Sequence, residues 1–411
     1  MAAMKKVFPM SLCLATAALA APPTFYKDVL PVLQRNCQSC HRPGEIAPMS
    51  FLTYDTTRPW AKAIKSSVLT GKMPPWFADP AVGHFLNDRT LSKADVDTLV
   101  GWADAGAQAG NEKDAPKRIE FTEGWNIGKP DVILEMASDF EVPATGTIEY
   151  QNFVIPTGFT EDKWVQVVEM RPGNPSVVHH AAAFVREHKP GQPARQGSQG
   201  LGDELLDFHV PGSVPHVLPA GQARLIKAGS DLVFQLHYTA NGKPARDRTR
   251  IGIVFAKEPP RERIYTLSVV NQGFRIPPGD GNFPVDAKLT VQQNARIVAL
   301  NPHMHLRGKS FEFRVVPPDG EAQVLLRVPK YDFSWQLQYY LAEPLVLAPG
   351  SRIECTAHFD NSANNTFNPD PAKEVRWGDQ SWEEMMIGTV DVAVAADMNP
   401  MDIYRPRARS N

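Results

Sequence analysis

The sequence predicts a small helical domain followed by two β-sandwich domains, and three observations lead there. Apolar residues recur at helical spacing as far as about residue 110 and at a period of about 2 beyond it. Proline accounts for 37 of 411 residues, near twice the usual ~5%, which favours turns and short strands over long helices. The strand-like part runs for about 290 residues, too long for one ordinary sandwich and suited to two of about 140.

Composition narrows the function classes. With 43% hydrophobic and 21% charged residues the chain is neither disordered nor fibrous. Lys+Arg 43 against Asp+Glu 45 gives a net charge of −2, which excludes a strongly basic nucleic-acid binder and gives an anionic membrane surface nothing to attract.

Taken in order, residues 1–20 read as a secretory signal: Lys5 and Lys6, an apolar run through Leu19, and the small-residue site Ala18-Leu19-Ala20. The run is too short for a permanent anchor, so a periplasmic or secreted protein without stable membrane insertion is expected, cleaved near Ala20. Cys37, Cys40 and Cys355 would remain. Residues 21–115 form the helical domain. Val29, Leu30 and Leu33 share a helical face leading into Cys37. Ser92-Lys93-Ala94-Asp95 reads as a capping box ahead of Val96, Leu99, Val100 and Ala103, with Gly106 as a stop. The polar stretch 111–116 reads as a linker. Segments 163–170, 176–185, 231–238, 251–255 and 310–316 are β-branched and bounded by turn residues. They are divided into sandwiches at 116–266 and 267–411, with the seam near 263–271.

Cys37-Gln38-Ser39-Cys40-His41 is the attachment signature of a c-type haem: two thiols for the vinyl groups and a histidine as proximal ligand. By composition it arises by chance roughly 0.001 times in such a chain. A zinc site would need a second Cys pair, and a thioredoxin-like motif a βαβ context. For the sixth ligand Met73, in Gly71-Lys72-Met73-Pro74-Pro75-Trp76, is preferred, with Met49 and His84 as rivals. The segment resembles small class I cytochromes c, in which a distal methionine often precedes a proline.

Several histidines cluster in sequence: His179-His180, His237 in Gln235-Leu236-His237-Tyr238, and His303-Met304-His305. On a strand, His303 and His305 share one face and can chelate one metal. His179 and His180 would point to opposite faces, so joint ligation requires a bulge or a strand end, or the use of different ring nitrogens. For any one of them, a buried hydrogen-bonded core histidine is the plainer alternative. Imidazole binds both copper oxidation states, and a thioether such as Met385 favours Cu(I). Asp379, Glu383 and Glu384 suggest a rim around Met385 and Met386. Gln235 shares a face with His237 and is a supporting candidate, as is His358.

In this order, the histidine pair, the Gln-x-His-Tyr strand, His-x-His with Leu306 and Gly308-Lys309, and Glu384-Met385 resemble the type II copper, ascorbate-dependent monooxygenases, a family that includes peptidylglycine α-hydroxylating and dopamine β-monooxygenases. The resemblance covers roughly residues 120–395. It implies two jelly-roll sandwiches, each holding one copper across a solvent-filled cleft. His179, His180 and His237 correspond to the ligands of the electron-transfer copper, and His303, His305 and Met385 to those of the oxygen-binding copper. The sequence departs from the peptide hydroxylase where substrate is held. Asn301 replaces a carboxylate-clamping arginine, Ile387 and Thr389 replace an asparagine and a tyrosine, and Met386 leaves Cys355 without a disulfide mate.

The expected function is a monooxygenase with one covalent c-type haem and two copper ions. It would take electrons from an external donor (a small redox protein or reductant) through the haem to the all-histidine copper, and hydroxylate a C–H bond of a small-molecule substrate with O2. The alternative is a non-catalytic electron-transfer or copper-binding protein. A peroxidase or nitrite-type reductase ranks below both, because there is a single CxxCH and Cys355 lies in none of the histidine motifs.

Overall fold

A computed structural model of the chain describes residues 21–121, 124–187, 203–210 and 212–405, and the expected signal segment 1–20 lies outside them. The described chain is mostly β-sheet with a few short helices near its N-terminus. None of those helices is long and apolar enough to cross a membrane.

The helical part has its own core. The turn Phe25–Val29 runs into the helix Leu30–Asn36, which buries Leu30, Val32 and Leu33. Helix Lys93–Asp104 begins as its sequence predicts, with Ser92 Oγ accepting the Asp95 N–H at 3.1 Å. It ends before Gly106, whose φ of +83° suits glycine at a helix C-terminus. Leu99 and Trp102 are fully buried against Phe25, Leu33 and Ile64 of the helix Ala61–Leu69.

The helical segment is not self-contained as the boundary at residue 115 assumed. Trp76, Phe77 and Phe85 pack on the core of the second sandwich. The Leu86 N–H reaches Tyr340 O and the Ala342 N–H reaches His84 O, both at 2.8 Å. The second sandwich covers these three large apolar side chains, and local periodicity does not say which neighbour will.

All five strands named from the sequence form, within two residues at each end: Lys163–Arg171, Val178–Arg186, Asp231–Tyr238, Arg250–Phe255 and Gly308–Val316. In the first sandwich one sheet has the order Gln151–Pro156, Asp231–Tyr238, Val178–Arg186, Glu204–His209, and the facing strands are Val132–Glu135, Arg250–Phe255, Lys163–Arg171 and Gln222–Ile226. Ala181, Ala183, Phe234 and Leu236 from one side meet Val165, Met170, Ile251 and Ile253 from the other. The second sandwich sets Phe283–Thr290, Arg352–Phe359, Gly308–Val316 and Gln323–Val328 against Glu262–Val270, Ile387–Ala395, Ala295–His303 and Tyr339–Leu347. Its core includes Phe311, Phe313, Ile353, Leu267 and Val390; cutting a buried Phe such as Phe313 to Ala would cost about 3–5 kcal/mol.

Two features of this layout correct the division at 266/267. Strand Glu262–Val270 pairs along its whole length with Ile387–Ala395, so the seam would cut through a strand of the second sandwich. Gln222 and Ala223 also pair in parallel with Glu262 and Arg263, making one eight-stranded sheet that runs through both sandwiches. No turn signal marks such a join. Cys355 is a buried free thiol, as its missing mate predicts, and a Cβ on Gly388 would stand 2.6 Å from its Sγ.

Candidate metal centre

The first histidine set is built by pairing and one irregularity. His180 lies directly opposite His237 on adjacent strands. The register shifts between Val178 and His180, and this bulge brings His179 to the same side, as joint ligation required. The three ring centroids stand 5.0, 5.1 and 5.2 Å apart, and one ring nitrogen from each lies within 4.8 Å of the others. His179 Nδ1 and His180 Nδ1 face each other at 3.0 Å. His237 Nε2 lies 3.2 Å from Ser381 Oγ, while its Nδ1 is buried with no hydrogen-bond partner.

The second set is oriented from outside. His303 is the last residue of its strand and His305 lies beyond it, so they meet at a strand end and not on a regular strand face; their centroids are 5.2 Å apart at 90°. His303 Nδ1 donates to Gln336 Oε1 at 2.5 Å, and the Gln336 Nε2 donates to Phe333 O, which fixes the amide. His305 Nδ1 donates to Glu383 O at 3.3 Å, leaving Nε2 buried and unpartnered. Engaging Nδ1 in this way holds the ring and presents Nε2 as the lone-pair nitrogen a metal takes. Met385 is half-buried and lines the same cavity of about 100 Å3 as His303 and His305.

These residues fit copper. Two orphaned buried nitrogens, His237 Nδ1 and His305 Nε2, have no other use in the fold. Burial disfavours the charged rings: the pKa falls to about 4 in His179 and His303, to about 3 in His237, and well below 6.5 in His180 and His305. Neutral imidazole is the form that binds metal.

Three further residues complete the centre. The Tyr150 ring stacks on His237 at 4.8 Å and lies 6.3 Å from His305. On the other side Phe333 stacks on His179 at 4.8 Å. Glu384 is wholly buried, so it is no rim residue. Its carboxyl accepts the N–H groups of His305 at 2.9 Å and Arg307 at 2.6 Å, and burial pushes its pKa up to about 8. Sequence gave no sign of Tyr150 or Phe333, which are lone aromatics outside any motif. Glu384 stood beside Met385 but was read by the usual rule that charges are solvated.

The expected separation of the two sets is absent. His180 and His303 have ring centroids 6.4 Å apart, and Ser381 of one sandwich touches His237 of the other. Five histidines form one contiguous cluster, with Phe333 of loop 331–337 packed against it. Gln235 lines the small cavity, and its Nε2 donates to Asn152 Oδ1 at 3.4 Å. His358 lies 3.2 Å from Ser310 Oγ through its Nδ1 and stands outside the cluster. Asn301, in the position of the expected clamp, is spent on structure: its Nδ2 donates to Gln336 O and Leu337 O, both at 2.9 Å.

At the haem motif, Cys37 and Cys40 are free thiols flanking the turn that follows Leu30–Asn36, and burial pushes the Cys37 thiol up to about 12. His41 stacks on Phe51 at 4.2 Å and its Nδ1 donates to Met49 O at 3.3 Å, so Nε2 is the ring nitrogen that could take a ligand's place on iron. Two available thiols and an oriented imidazole suit covalent haem. Met49 is thus tied to His41 through its backbone and packs on the helical core. His84 is exposed on the edge of the second sandwich, its carbonyl paired with Ala342. Met73 is half-buried in the turn after helix Ala61–Leu69, its N–H bonded to Ser67 O. Cys40 also lines a cavity of about 250 Å3 between the helical part and the sandwiches, together with His209, Gly212 and Gln336.

No protein-family model matches the chain, and no curated protein matches it. Among solved structures it is similar to the major capsid protein P2 of bacteriophage PM2 (11% identity, 64% of this chain and 97% of that one, TM-score 0.27), to the structure of the infectious bursal disease virus Gx strain (9%, 66% and 74%, 0.21) and to allantoicase (8%, 54% and 79%, 0.18). Similarities this weak carry no argument about function.

Proposed function

We propose that this protein is a monooxygenase that uses copper and a c-type haem to hydroxylate a C–H bond of a small organic molecule with O2. The observation that carries the proposal is the convergence of His179, His180 and His237 beside His303, His305 and Met385, with ring nitrogens left over for metal. The ordered resemblance to the type II copper monooxygenases supports it, as does the haem signature in the same chain. When bound, copper would supply one-electron redox chemistry and a coordination position for O2.

The residues of the chain do the rest. Gln336 and the Glu383 carbonyl hold the His303 and His305 rings with Nε2 inward. Tyr150 and Phe333 cover the imidazoles and exclude water from them. Ala182, Phe184, Phe208 and Ile387 give the adjoining cavity an apolar wall, and no Lys or Arg lines it among the described residues. With Asn301 occupied, and with Asp203 and Asp379 on the lining, nothing there would recognise a carboxylate, so a substrate without a negative charge is expected. The second reading, a copper-binding electron carrier, draws on the closeness of the two sets and the small size of the cavity.

The test is to purify the holo-protein, count haem and copper, and follow O2 uptake with uncharged organic substrates. Two coppers, one haem and substrate-dependent uptake are expected. Product formation that survives His305→Ala would falsify the oxygen-site assignment, and stoichiometric metals without turnover would favour the carrier.

A further inference from the structure

Loop 331–337 joins the haem-motif cavity to the histidine cluster. At one end, a Cβ on Gly212 would stand 3.2 Å from Cys40 Sγ and 3.9 Å from Trp335 Cζ3, so thiol and indole are no farther apart than the sum of the two. Gln336 follows directly, lines the same cavity as Cys40, and holds His303 Nδ1 at 2.5 Å. Phe333 of the same loop rests on His179 by ring stacking alone, with centroids 4.8 Å apart. The loop is pinned: the Trp335 N–H reaches Asp332 O at 2.9 Å, the Leu337 N–H reaches Trp335 O at 2.8 Å, and Asn301 binds the Gln336 and Leu337 carbonyls. Gln336 is only 1% exposed.

We propose that Trp335 and Gln336 form the electron-entry bridge, which runs from a haem attached at Cys40 to the metal held by His303, so that the His303–His305–Met385 site is the first acceptor. This rests on the haem-and-copper reading above and reverses the expectation that the all-histidine site is reduced first. Electronic coupling decays less steeply through covalent and hydrogen bonds than across a van der Waals gap. The gap between Cys40 and Trp335 is common to both routes; beyond it the path through Gln336 consists of covalent bonds and one short hydrogen bond, whereas the path through Phe333 ends in a stacking contact. One electron leaves the ferrous haem, which becomes ferric, and reduces one cupric ion to cuprous; no bond or proton need move.

The experiment uses the full holo-protein, anaerobic and oxidised, after its haem, its copper and the haem midpoint potential have been measured. A flash-generated ruthenium reductant reduces the haem. Haem reoxidation is then followed optically, and freeze-quenched cupric EPR reports which site loses its signal. Compared at matched copper loading, and with the haem potential measured in each sample, Gln336→Leu should slow the transfer about tenfold or more, and Gln336→Glu, which keeps an oxygen facing His303, should restore most of it. Because Gln336→Leu also frees the His303 ring, Trp335→Leu is the second variant. It leaves that hydrogen bond in place and should slow transfer as well. Wild-type rates in both Leu variants, or first loss of signal from the all-histidine site, would overturn the route while the haem-and-copper reading stands. A protein that takes up neither haem nor copper would overturn both.

Discussion

The two histidine sets reach similar spacing by different means. His179, His180 and His237 are placed by the sheet itself: two directly opposed residues and one bulge bring three rings together. His303 and His305 lie where a strand ends, and their orientation comes from partners distant in sequence, Gln336 at 2.5 Å and the Glu383 carbonyl at 3.3 Å. The first arrangement is as rigid as its ladder. The second depends on a buried scaffold of loops, and so has more points at which it can be broken.

The largest effects should follow from removing ligands. His237→Ala and His305→Ala should each cost one equivalent of copper and leave the other, measured by elemental analysis of purified protein. Loss of both coppers from either variant would mean that the cluster is one site and not two. The fold should survive, because each substitution removes a neutral ring and leaves the backbone pairing of the flanking strands intact.

The next test bears on the scaffold of the second set. Glu384 accepts two buried backbone N–H groups next to the metal ligands. Glu384→Leu leaves both unsatisfied at about 1–3 kcal/mol each, whereas Glu384→Gln retains one acceptor oxygen and should cost less. Denaturant melts of the two variants give the comparison. If Glu384→Leu were no less stable than Glu384→Gln, the carboxyl would not be holding the loop.

These differences also mark what sequence could supply. His180 and His237 were legible; for His179, strand alternation left a bulge, a strand end or different ring nitrogens open, and the structure has the bulge. His-x-His named the right pair at 303 and 305 for a reason the structure changes, since a strand end replaces the shared face. Gln336, Tyr150 and Phe333 carried no signal, because their role exists only through contacts such as the 33-residue separation between Gln336 and His303. The adjacency of the two sets was likewise beyond reach. It appears only in contacts such as that between Ser381 and His237, 144 residues apart, which no local pattern encodes. Segment 76–89 shows the same limit, its aromatics being apolar without declaring which core they join.

A histidine outside both sets gives a pH test of the first sandwich. His209 is half-buried beside Ser213 Oγ at 3.3 Å, and desolvation, with the Arg171 charge as the smaller cause, lowers its pKa from 6.5 to about 4. Folding therefore favours the neutral ring. Its contribution is present above 6.5 and is lost as pH falls toward 4, amounting to about 3 kcal/mol in acid at some 1.4 kcal/mol per unit. His209→Gln should flatten that part of the stability profile relative to the parent protein, measured by urea melts between neutral pH and about pH 4. An unchanged profile would mean that the ring ionises in place.

The smallest effect belongs to Tyr150, and it asks whether the cluster is closed by packing. The ring stacks on His237 and approaches His305, so it touches both sets. Tyr150→Phe keeps the ring and should change stability by less than about 1 kcal/mol, with copper content intact. Tyr150→Leu gives up the stack, worth about 0.5–1.5 kcal/mol, and opens a path for water between the sets. Faster release of copper to a chelator from the Leu variant than from the Phe variant is therefore expected. Equal release rates would mean that the first set is held by its ladder alone and that the Tyr150 contact contributes nothing to retention.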